Sequence, residues 1–279
     1  MKLSHSVYGK HRVRVSKKRQ HSDQPGRHEF VEATVNVELE GDFDAAYTDA
    51  DNRSLVATDT CKNTVYAVAK DDDLASIETF AVRLAEHFLS QYDHVHRATI
   101  WATENCWTRL LDCDHAFTAD QRHRPVCTAV ADRGGDTILH SGIEELMIAK
   151  TTQSGFENFH RDEYRTLADT KDRILATSLT AIWRYDGVPA NPVAVRQTVT
   201  NAMMRSFIDH YSHSIQETLM RMGTAAIESN QNIASIRMTM PNKHHILFAM
   251  DDLGRKNDNE VFAVTDEPFG YIEATVQRD

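Results

Sequence analysis

Two histidines two residues apart, His94 and His96, are the first candidates for chemistry in this sequence. Alternate residues of a β-strand face the same side, so this spacing can present two imidazoles together, as a metal site requires. No obvious third ligand stands beside them in the sequence. We interpret the pair as structural or surface residues and predict no metal site.

Familiar catalytic motifs are missing from the sequence. It contains no GxGxxG or P-loop glycine pattern, and neither an HExxH nor a GxSxG motif. These absences disfavour a nucleotide-cofactor enzyme, a zinc protease and an α/β-hydrolase. The four cysteines include no CxxC pair, so they indicate reduced thiols rather than a zinc ribbon or a redox motif.

Seven short polar segments follow one another along the chain, and no single one of them is diagnostic. They are 8–10, 56–66, 150–156, 161–164, 172–175, 214–216 and 240–244. Taken together, in this order and at this spacing, they resemble the urate oxidase (uricase) family. The resemblance extends from about residue 8 to residue 277.

That resemblance implies a tandem tunnelling fold (T-fold) that assembles as a homotetramer, with its sheets joined into a β-barrel around a central tunnel. It also implies active sites at the subunit interfaces. The implied reaction belongs to purine degradation: urate is oxidised by O2 and water to 5-hydroxyisourate and hydrogen peroxide, with no metal or organic cofactor.

The same resemblance assigns roles to individual residues. The residues implied to bind urate are Thr58, Asp59, Phe156, Arg173, Ile215, Gln216 and Asn242. The residues implied to handle protons are Lys10, Thr58 and His244. The family often has valine at the position of Ile215, where the contact is thought to be made by the backbone amide.

The assigned residue types suit a flat, anionic purine. The planar Arg173 guanidinium can donate two parallel charge-assisted hydrogen bonds to its edge, and Gln216 offers both a donor and an acceptor. Ile215 and Gln216 fall at the predicted first turn of a capped helix, where free N–H groups and the helix dipole favour an anion. Phe156 can stack on the purine face.

A proton relay is the second expectation. Dioxygen reacts slowly with closed-shell molecules, so a cofactor-free oxidase must make its substrate electron-rich by removing a proton. A lysine can act as this base where burial, or a neighbouring cation such as Arg173, favours its neutral form. We predict that Lys10 activates the Thr58 hydroxyl and that His244 orients or assists Lys10. Asn242 and Thr58 would hold O2, and later water, above the ring stacked on Phe156.

Every one of these side chains also has an ordinary structural alternative, and only their joint order favours a site. The alternatives are Phe156 as core, Arg173 paired with Asp172, Gln216 as a surface amide, Lys10 as a solvated charge, Thr58 as a helix cap and His244 as a strand histidine.

Two other functions are compatible with the sequence. A T-fold enzyme acting on pterins or purines would use zinc, and its candidate ligands are His94 and His96 with Cys106 or Cys113. A non-catalytic purine-binding tetramer would need no proton relay, so the presence of Lys10, Thr58 and His244 argues against it.

Composition limits the partners. The chain has 279 residues, 41% of them hydrophobic and 26% charged, which is typical of a globular protein and long enough for about two domains. The net charge of −10 argues against nucleic-acid binding. No stretch approaches the ~20 apolar residues of a membrane span, and we find neither a signal peptide nor a peroxisomal tripeptide. We therefore expect a cytoplasmic protein that binds no membrane.

The elements that must position these residues repeat one order, with strands before and after helices. Apolar alternation predicts strands at 12–15, 31–39, 94–103, 106–115, 123–132, 143–150, 176–186, 236–240, 244–250, 261–264 and 271–276.

Two regions of helix are expected between these strands. Apolar residues at three- and four-residue spacing predict a helix over 74–88, with Asp71–Asp73 at its N-terminus. Asn191-Pro192 and the capping box Ser214–Glu217 predict the starts of two more helices. The turn at 132–136 separates a first half, 1–136, from a second half, 137–279. The fold class is therefore α+β, with helices on one face of antiparallel sheets.

Overall fold

The computed structural model describes residues 2–20 and 23–279. The chain forms two compact units, and each is made of two stretches of sequence. Unit 1 comprises 1–142 and 184–194, and unit 2 comprises 143–183 and 195–279. The division into repeat halves at residue 136 stays a prediction.

The first part of the chain supplies most of unit 1. Its elements are β1 (Tyr8–Gln20), β2 (His28–Gly41), α1 (Asp44–Thr48), α2 (Thr58–Asp71), α3 (Ile77–Gln91), β3 (Val95–Glu104), β4 (Trp107–Arg109), β5 (Phe117–Ala119) and β6 (Arg124–Asp132).

The remaining elements belong wholly or mostly to unit 2. They are β7 (Ile138–Lys150), β8 (Leu175–Tyr185), α4 (Pro192–Ile208), α5 (Ile215–Ser229), β9 (Ile233–Thr239), β10 (Asn242–Leu247), a single 3₁₀ turn (Asp251–Leu253), β11 (Phe262–Gly270) and β12 (Glu273–Gln277).

Alternation along the strands builds the core of unit 1. The sheet runs β1-β2-β3-β6 with antiparallel neighbours. Val37 on β2 lies opposite Ile100 on β3, which lies opposite Ala129 on β6, and all three are buried. Because inward side chains recur at every second residue, each strand offers one apolar face to the helices. Helix α3 covers β3 and β6, and α2 packs against β1.

Helix α2 corrects the sequence analysis. The segment 58–71 is helical, although no helix was predicted there. Asp71 ends this helix, so the predicted placement of Asp71–Asp73 at the N-terminus of the next helix was wrong. Ser76 caps α3 instead, and its side chain accepts a hydrogen bond from the Thr79 N–H. The serine oxygen accepts directly from a first-turn N–H group, so this helix start needs no run of carboxylates before it.

The predicted strand over 106–115 was wrong over most of its length. Only Trp107–Arg109 forms a strand, and it pairs with Phe117–Ala119 in a separate two-stranded sheet. The backbone turns after Arg109, and Leu111 and Asp112 adopt positive φ. That conformation belongs to turns.

In unit 2, as in unit 1, a helix packs against one face of the sheet. Its strands run β7-β8-β10-β11, with β9 joined to β8 and β12 joined to β9. Helix α5 packs on β9 and β12. A Cβ on Gly223 of α5 would lie 2.6 Å from Val276 Cγ2 of β12, so glycine permits this close approach. Antiparallel pairs and packed helices in both units confirm the α+β class.

Both predicted helix starts in the second part of the chain are confirmed. The Ala194 N–H donates to Asn191 Oδ1 at 3.0 Å ahead of α4. At α5, Ser214 is the N-cap, and its hydroxyl accepts from the Glu217 N–H at 3.1 Å. In a standard capping box the Glu217 carboxylate would accept from the N–H of the N-cap residue, Ser214. Here it accepts from the N–H of the preceding residue, His213.

The acidic excess lies at the surface. Among the described residues, the buried acidic side chains are Glu32 and Glu78, out of 41 acidic residues in the sequence. Within the same residues, no helix has both the length and the apolar character needed to cross a bilayer.

Substitution of Gly9 tests how closely the backbones of β1 and β2 approach each other beside Lys10. A Cβ there would lie 1.9 Å from the Val37 carbonyl oxygen, which is backbone and cannot rotate away. We expect Gly9→Ala to destabilise the protein by about 1–3 kcal/mol, measured as a lower Tm. Gly135→Ala is the control, since its Cβ would meet Asp132 Cβ at an ordinary 3.5 Å. Equal Tm values for both variants would contradict this packing.

Candidate active site

Four of the predicted site residues line one cavity in unit 2. Phe156, Arg173, Asn242 and His244 surround a space of about 300 Å³. They come from three separate stretches of sequence, which the fold brings together. An aromatic face, a cation, an amide and an imidazole around one cavity can bind a flat, polar, anionic molecule.

Phe156 is held by its own backbone. It exchanges two hydrogen bonds with Thr170, with N···O distances of 2.7 and 3.0 Å. Its ring stacks on Phe159 with centroids 4.9 Å apart and planes at 7°. Phe156 is half-buried rather than core, so a ligand can reach its ring. Neither Thr170 nor Phe159 was predicted from the sequence.

Arg173 carries the positive charge of the cavity. Its guanidinium carbon lies 5.3 Å from the centre of the Phe156 ring. Burial lowers the pKa of Arg173 from its usual value, and among the described residues its buried Nε has no hydrogen-bond partner. The alternative pairing with Asp172 is wrong, because among the described residues the Arg173 guanidinium forms no ion pair with that carboxylate, which accepts instead from the Thr152 hydroxyl at 2.8 Å. The guanidinium is therefore available to an anion.

Asn242 and His244 project from the start of β10. Residues two apart on a strand face the same side, and Asn242 Nδ2 lies 3.4 Å from His244 Nδ1. The register between β10 and β11 shifts between these two residues. Both side chains are half-buried at the cavity wall.

Ile215 and Gln216 lie at the N-terminus of α5, outside the lining of the cavity. They are the first two residues of the helix, so their backbone N–H groups have no carbonyl partner within it. Ile215 is buried and Gln216 is exposed. The predicted first-turn placement is confirmed, and the structure leaves their predicted contact with substrate untested.

Lys10 and Thr58 lie in unit 1, where α2 packs against β1. Lys10 is half-buried on β1, and its charge acts on the side chains of Asp59 and Cys61 at the start of α2. The buried Cys61 has its thiol pKa raised to about 11 by desolvation, against the opposing effect of Lys10. The Tyr8 hydroxyl accepts from the Val56 N–H at 2.7 Å and ties β1 to the segment before α2.

Thr58 and Asp59 open helix α2. Ala57 occupies the N-cap position, so the alternative of Thr58 as the cap is wrong, and the Thr58 side chain is exposed. The Asp59 carboxylate accepts from Lys62 Nζ at 2.5 Å and from Asn63 Nδ2 at 3.0 Å. Lys62 and Asn63 therefore hold Asp59. Their i+3 and i+4 spacing would have revealed this had the helix been predicted.

His94 and His96 do not share a partner. The His94 ring packs edge-on against Phe43 with centroids 5.7 Å apart, and His96 Nε2 lies 3.2 Å from Asp42 Oδ2. Across residues 2–20 and 23–279, no three histidine, cysteine or acidic side chains gather as a metal-binding group. The structural interpretation of both histidines agrees with these contacts.

The fold and the cavity define an α+β protein with a cavity whose lining suits a planar anion, and comparison with known proteins identifies its family. The uricase family model matches residues 6–134 and 139–273. The chain therefore belongs to the uricase family, whose activity is the oxidation of urate. The predicted family, α+β class and enzyme class are confirmed, and the zinc alternative is not favoured. The structure is consistent with the T-fold, and its joining into a tetrameric barrel stays a prediction.

Individual relatives cover nearly the whole chain. The uricase of Arthrobacter globiformis is 42% identical over 278 residues, which are 99% of this chain and 90% of that protein. The uricase of Dictyostelium discoideum is 36% identical over 277 residues, 97% of this chain and 96% of its own. The crystal structure of the Arthrobacter globiformis protein superposes with a TM-score of 0.95 at 40% identity, covering 100% of this chain and 96% of that one.

The Asp59–Lys62 pair gives a prediction about pH. The Lys62 hydrogen bond holds the pKa of Asp59 below its ordinary value of 3.8. A depressed carboxyl pKa contributes stability above the unfolded value, and this is lost as the pH falls through the folded pKa. We expect an NMR titration to place the Asp59 midpoint below 3.8 and Lys62→Met to raise it. Lys70→Met, at the other end of α2, should leave the midpoint unchanged, and an unchanged midpoint in Lys62→Met would contradict the pairing.

Proposed function

We propose that this urate oxidase binds urate in the unit 2 cavity and completes the site with Lys10 and Thr58 from unit 1 of another subunit. The observation that carries the proposal is the convergence of Phe156, Arg173 and Asn242 on one cavity. Lys10 lies on β1 and Thr58 at the start of α2, both in unit 1 and outside the lining of that cavity. A site built from two surfaces of one chain is readily shared in a symmetric oligomer, here a homotetramer with a barrel of joined sheets.

The reaction needs an electron acceptor, and we assign this role to dioxygen. Urate gives up two electrons to O2, and water adds its oxygen to the purine ring. The products are then 5-hydroxyisourate and hydrogen peroxide, so atoms and electrons balance. Deprotonated urate is itself electron-rich, and the proposed reaction uses no metal or organic cofactor.

Binding and proton transfer fall to different groups. Arg173 donates to the anionic edge of urate, and the ring of Phe156 stacks on its face, which fixes the plane of the purine. The Gln216 side chain and the Ile215 N–H, at the N-terminus of α5, form the remaining hydrogen bonds to the edge of urate. Asp59, held by Lys62, supports the Thr58 end of the site. Lys10 takes the proton through the Thr58 hydroxyl, His244 assists, and Asn242 holds O2 with Thr58.

Lys10→Met tests the base. Removing a general base typically costs 10²–10⁴-fold, so we expect kcat to fall by about 100-fold or more. Lys18→Met, which removes an exposed lysine from the same strand, should retain wild-type turnover. Near-normal turnover in Lys10→Met would remove lysine from the mechanism.

The wild-type measurement uses assembled, metal-stripped protein. Loss of the urate absorbance band and release of peroxide are followed together. If the folded tetramer shows neither, the cofactor-free reaction is refuted.

Mixing two variants of low activity tests the shared site. In tetramers that combine Lys10→Met and Arg173→Gln subunits, a site that takes its halves from two chains is intact in about a quarter of cases. We therefore expect activity to reappear on mixing, measured as urate loss.

The matched control mixes Arg173→Gln subunits with Asn242→Ala subunits. Both changes lie in unit 2, so no mixture of these subunits contains an intact site and activity stays absent. If mixed Lys10→Met and Arg173→Gln tetramers form, as seen by native mass spectrometry, yet stay inactive, the site is not shared.

A further inference from the structure

A buried group of polar side chains connects the substrate segments of unit 2. It consists of His210, Ser212 and Thr218, which we call the hydroxyl cluster. Ser212 and Thr218 are fully buried (0% exposed), and their hydroxyl oxygens lie 2.7 Å apart. Thr218 Oγ1 also lies 2.9 Å from His210 Nε2. None of these side chains lines the cavity, and the proposed reaction uses none of them.

The backbone of Ser212 joins the Phe156 segment to helix α5. The Ser212 N–H donates to the Gln153 carbonyl at 2.9 Å, and the Gly155 N–H donates to the Ser212 carbonyl at 2.8 Å. Phe156 follows Gly155 directly, and Ser212 stands two residues before the N-cap of α5. A shift of Ser212 therefore moves the aromatic ring relative to the N-terminus of α5.

Arg173 is tied to the same short segment. Its backbone N–H donates to the Ser154 carbonyl at 2.9 Å, and Ser154 is bridged to Ser212. The segment 153–155 thus lies between the residues that supply the cation and those that supply the helix N-terminus. Phe156, Arg173 and Gln216 are held in one hydrogen-bonded assembly.

The connection between α4 and α5 is fixed on both sides of Ser212. Lys150 Nζ donates to the His210 carbonyl at 2.6 Å, and His210 Nδ1 lies 2.6 Å from the Ser206 carbonyl oxygen. The Tyr211 hydroxyl donates to the Lys171 carbonyl at 2.6 Å. A Cβ on Gly155 would lie 2.3 Å from the Tyr211 hydroxyl oxygen and 2.9 Å from the Thr170 carbonyl oxygen, so glycine leaves room for both.

We propose that Ser212 and Thr218 are positioning residues for urate, which act by fixing Phe156 and Arg173 relative to the N-terminus of α5. A planar ligand held by a ring face, a guanidinium and an amide tolerates little relative displacement, because small misplacements of reacting groups cost large factors in rate. The hydroxyls form a continuous set of hydrogen bonds, in which Ser212 Oγ also donates to the Ser214 carbonyl at 3.1 Å. Removing the Thr218 hydroxyl breaks this set and takes from His210 Nε2 its partner at 2.9 Å, which costs free energy for a buried polar group. The role rests on the proposed substrate site.

Thr218→Val removes one hydroxyl at nearly constant volume. We expect kcat/KM for urate to fall about tenfold or more, mainly through a higher KM, and Thr218→Ser to restore it. Ser141→Ala is the control, because it also removes a buried, hydrogen-bonded hydroxyl, but one that lies away from the proposed site. Ser141 is fully buried in unit 1, and its hydroxyl donates to Glu78 Oε1 at 2.5 Å. This variant should lose Tm yet keep the wild-type KM.

The outcomes separate positioning from simple stability. A Thr218→Val enzyme with lowered Tm and a KM within about twofold of wild type overturns the proposal. If Thr218→Val does not assemble, Ser212→Ala is judged by the same criteria.

Arg173→Gln is measured beside these variants. If it leaves KM unchanged, the proposed substrate site is wrong, and the positioning role fails with it. If Arg173→Gln raises KM while Thr218→Val and Ser212→Ala do not, only the positioning role is wrong.

Discussion

The site depends on one constraint: the half-buried Arg173 guanidinium has no carboxylate partner within the part of the chain that the structure describes. Removing a charge from water costs free energy, and proteins usually offset this with an opposite charge. The structure places Arg173 against the Phe156 ring, and Asp172 is engaged by Thr152 instead. The cation is therefore left for an anionic ligand, and the backbone bonds of Ser154 and Thr170 hold Arg173 and Phe156 in place.

The candidate residues are divided between the two units, and Arg173 lies in unit 2. Unit 2 supplies the groups that we propose to bind a flat anion, and unit 1 supplies the lysine and threonine that we propose to move a proton. The two groups are built differently. The unit 2 residues come from loops and helix or strand ends around a cavity, whereas Lys10 and Thr58 are fixed by the packing of α2 on β1.

Sequence patterns predicted the elements whose signals are local. The capped starts of α4 and α5 and the alternating strands of unit 1 follow from caps and periodicity. Helix α2 was missed because Ala57 gives no capping signal and the helix begins Thr-Asp-Thr. The site residues were predicted jointly, from their order along the chain. Their convergence, the free Arg173 and the Ser212–Thr218 pair depend on contacts between distant residues, which no local pattern encodes.

Cys61 has a consequence for an enzyme whose proposed product is hydrogen peroxide. Peroxide attacks thiolates rather than thiols and leads to sulfenic and then to irreversible oxidation states. Burial at the start of α2 raises the pKa of Cys61 to about 11, so at neutral pH the sulfur stays protonated and shielded. The packing that fixes Thr58 and Lys10 thus also gives this part of the site chemical resistance to the oxidant released nearby.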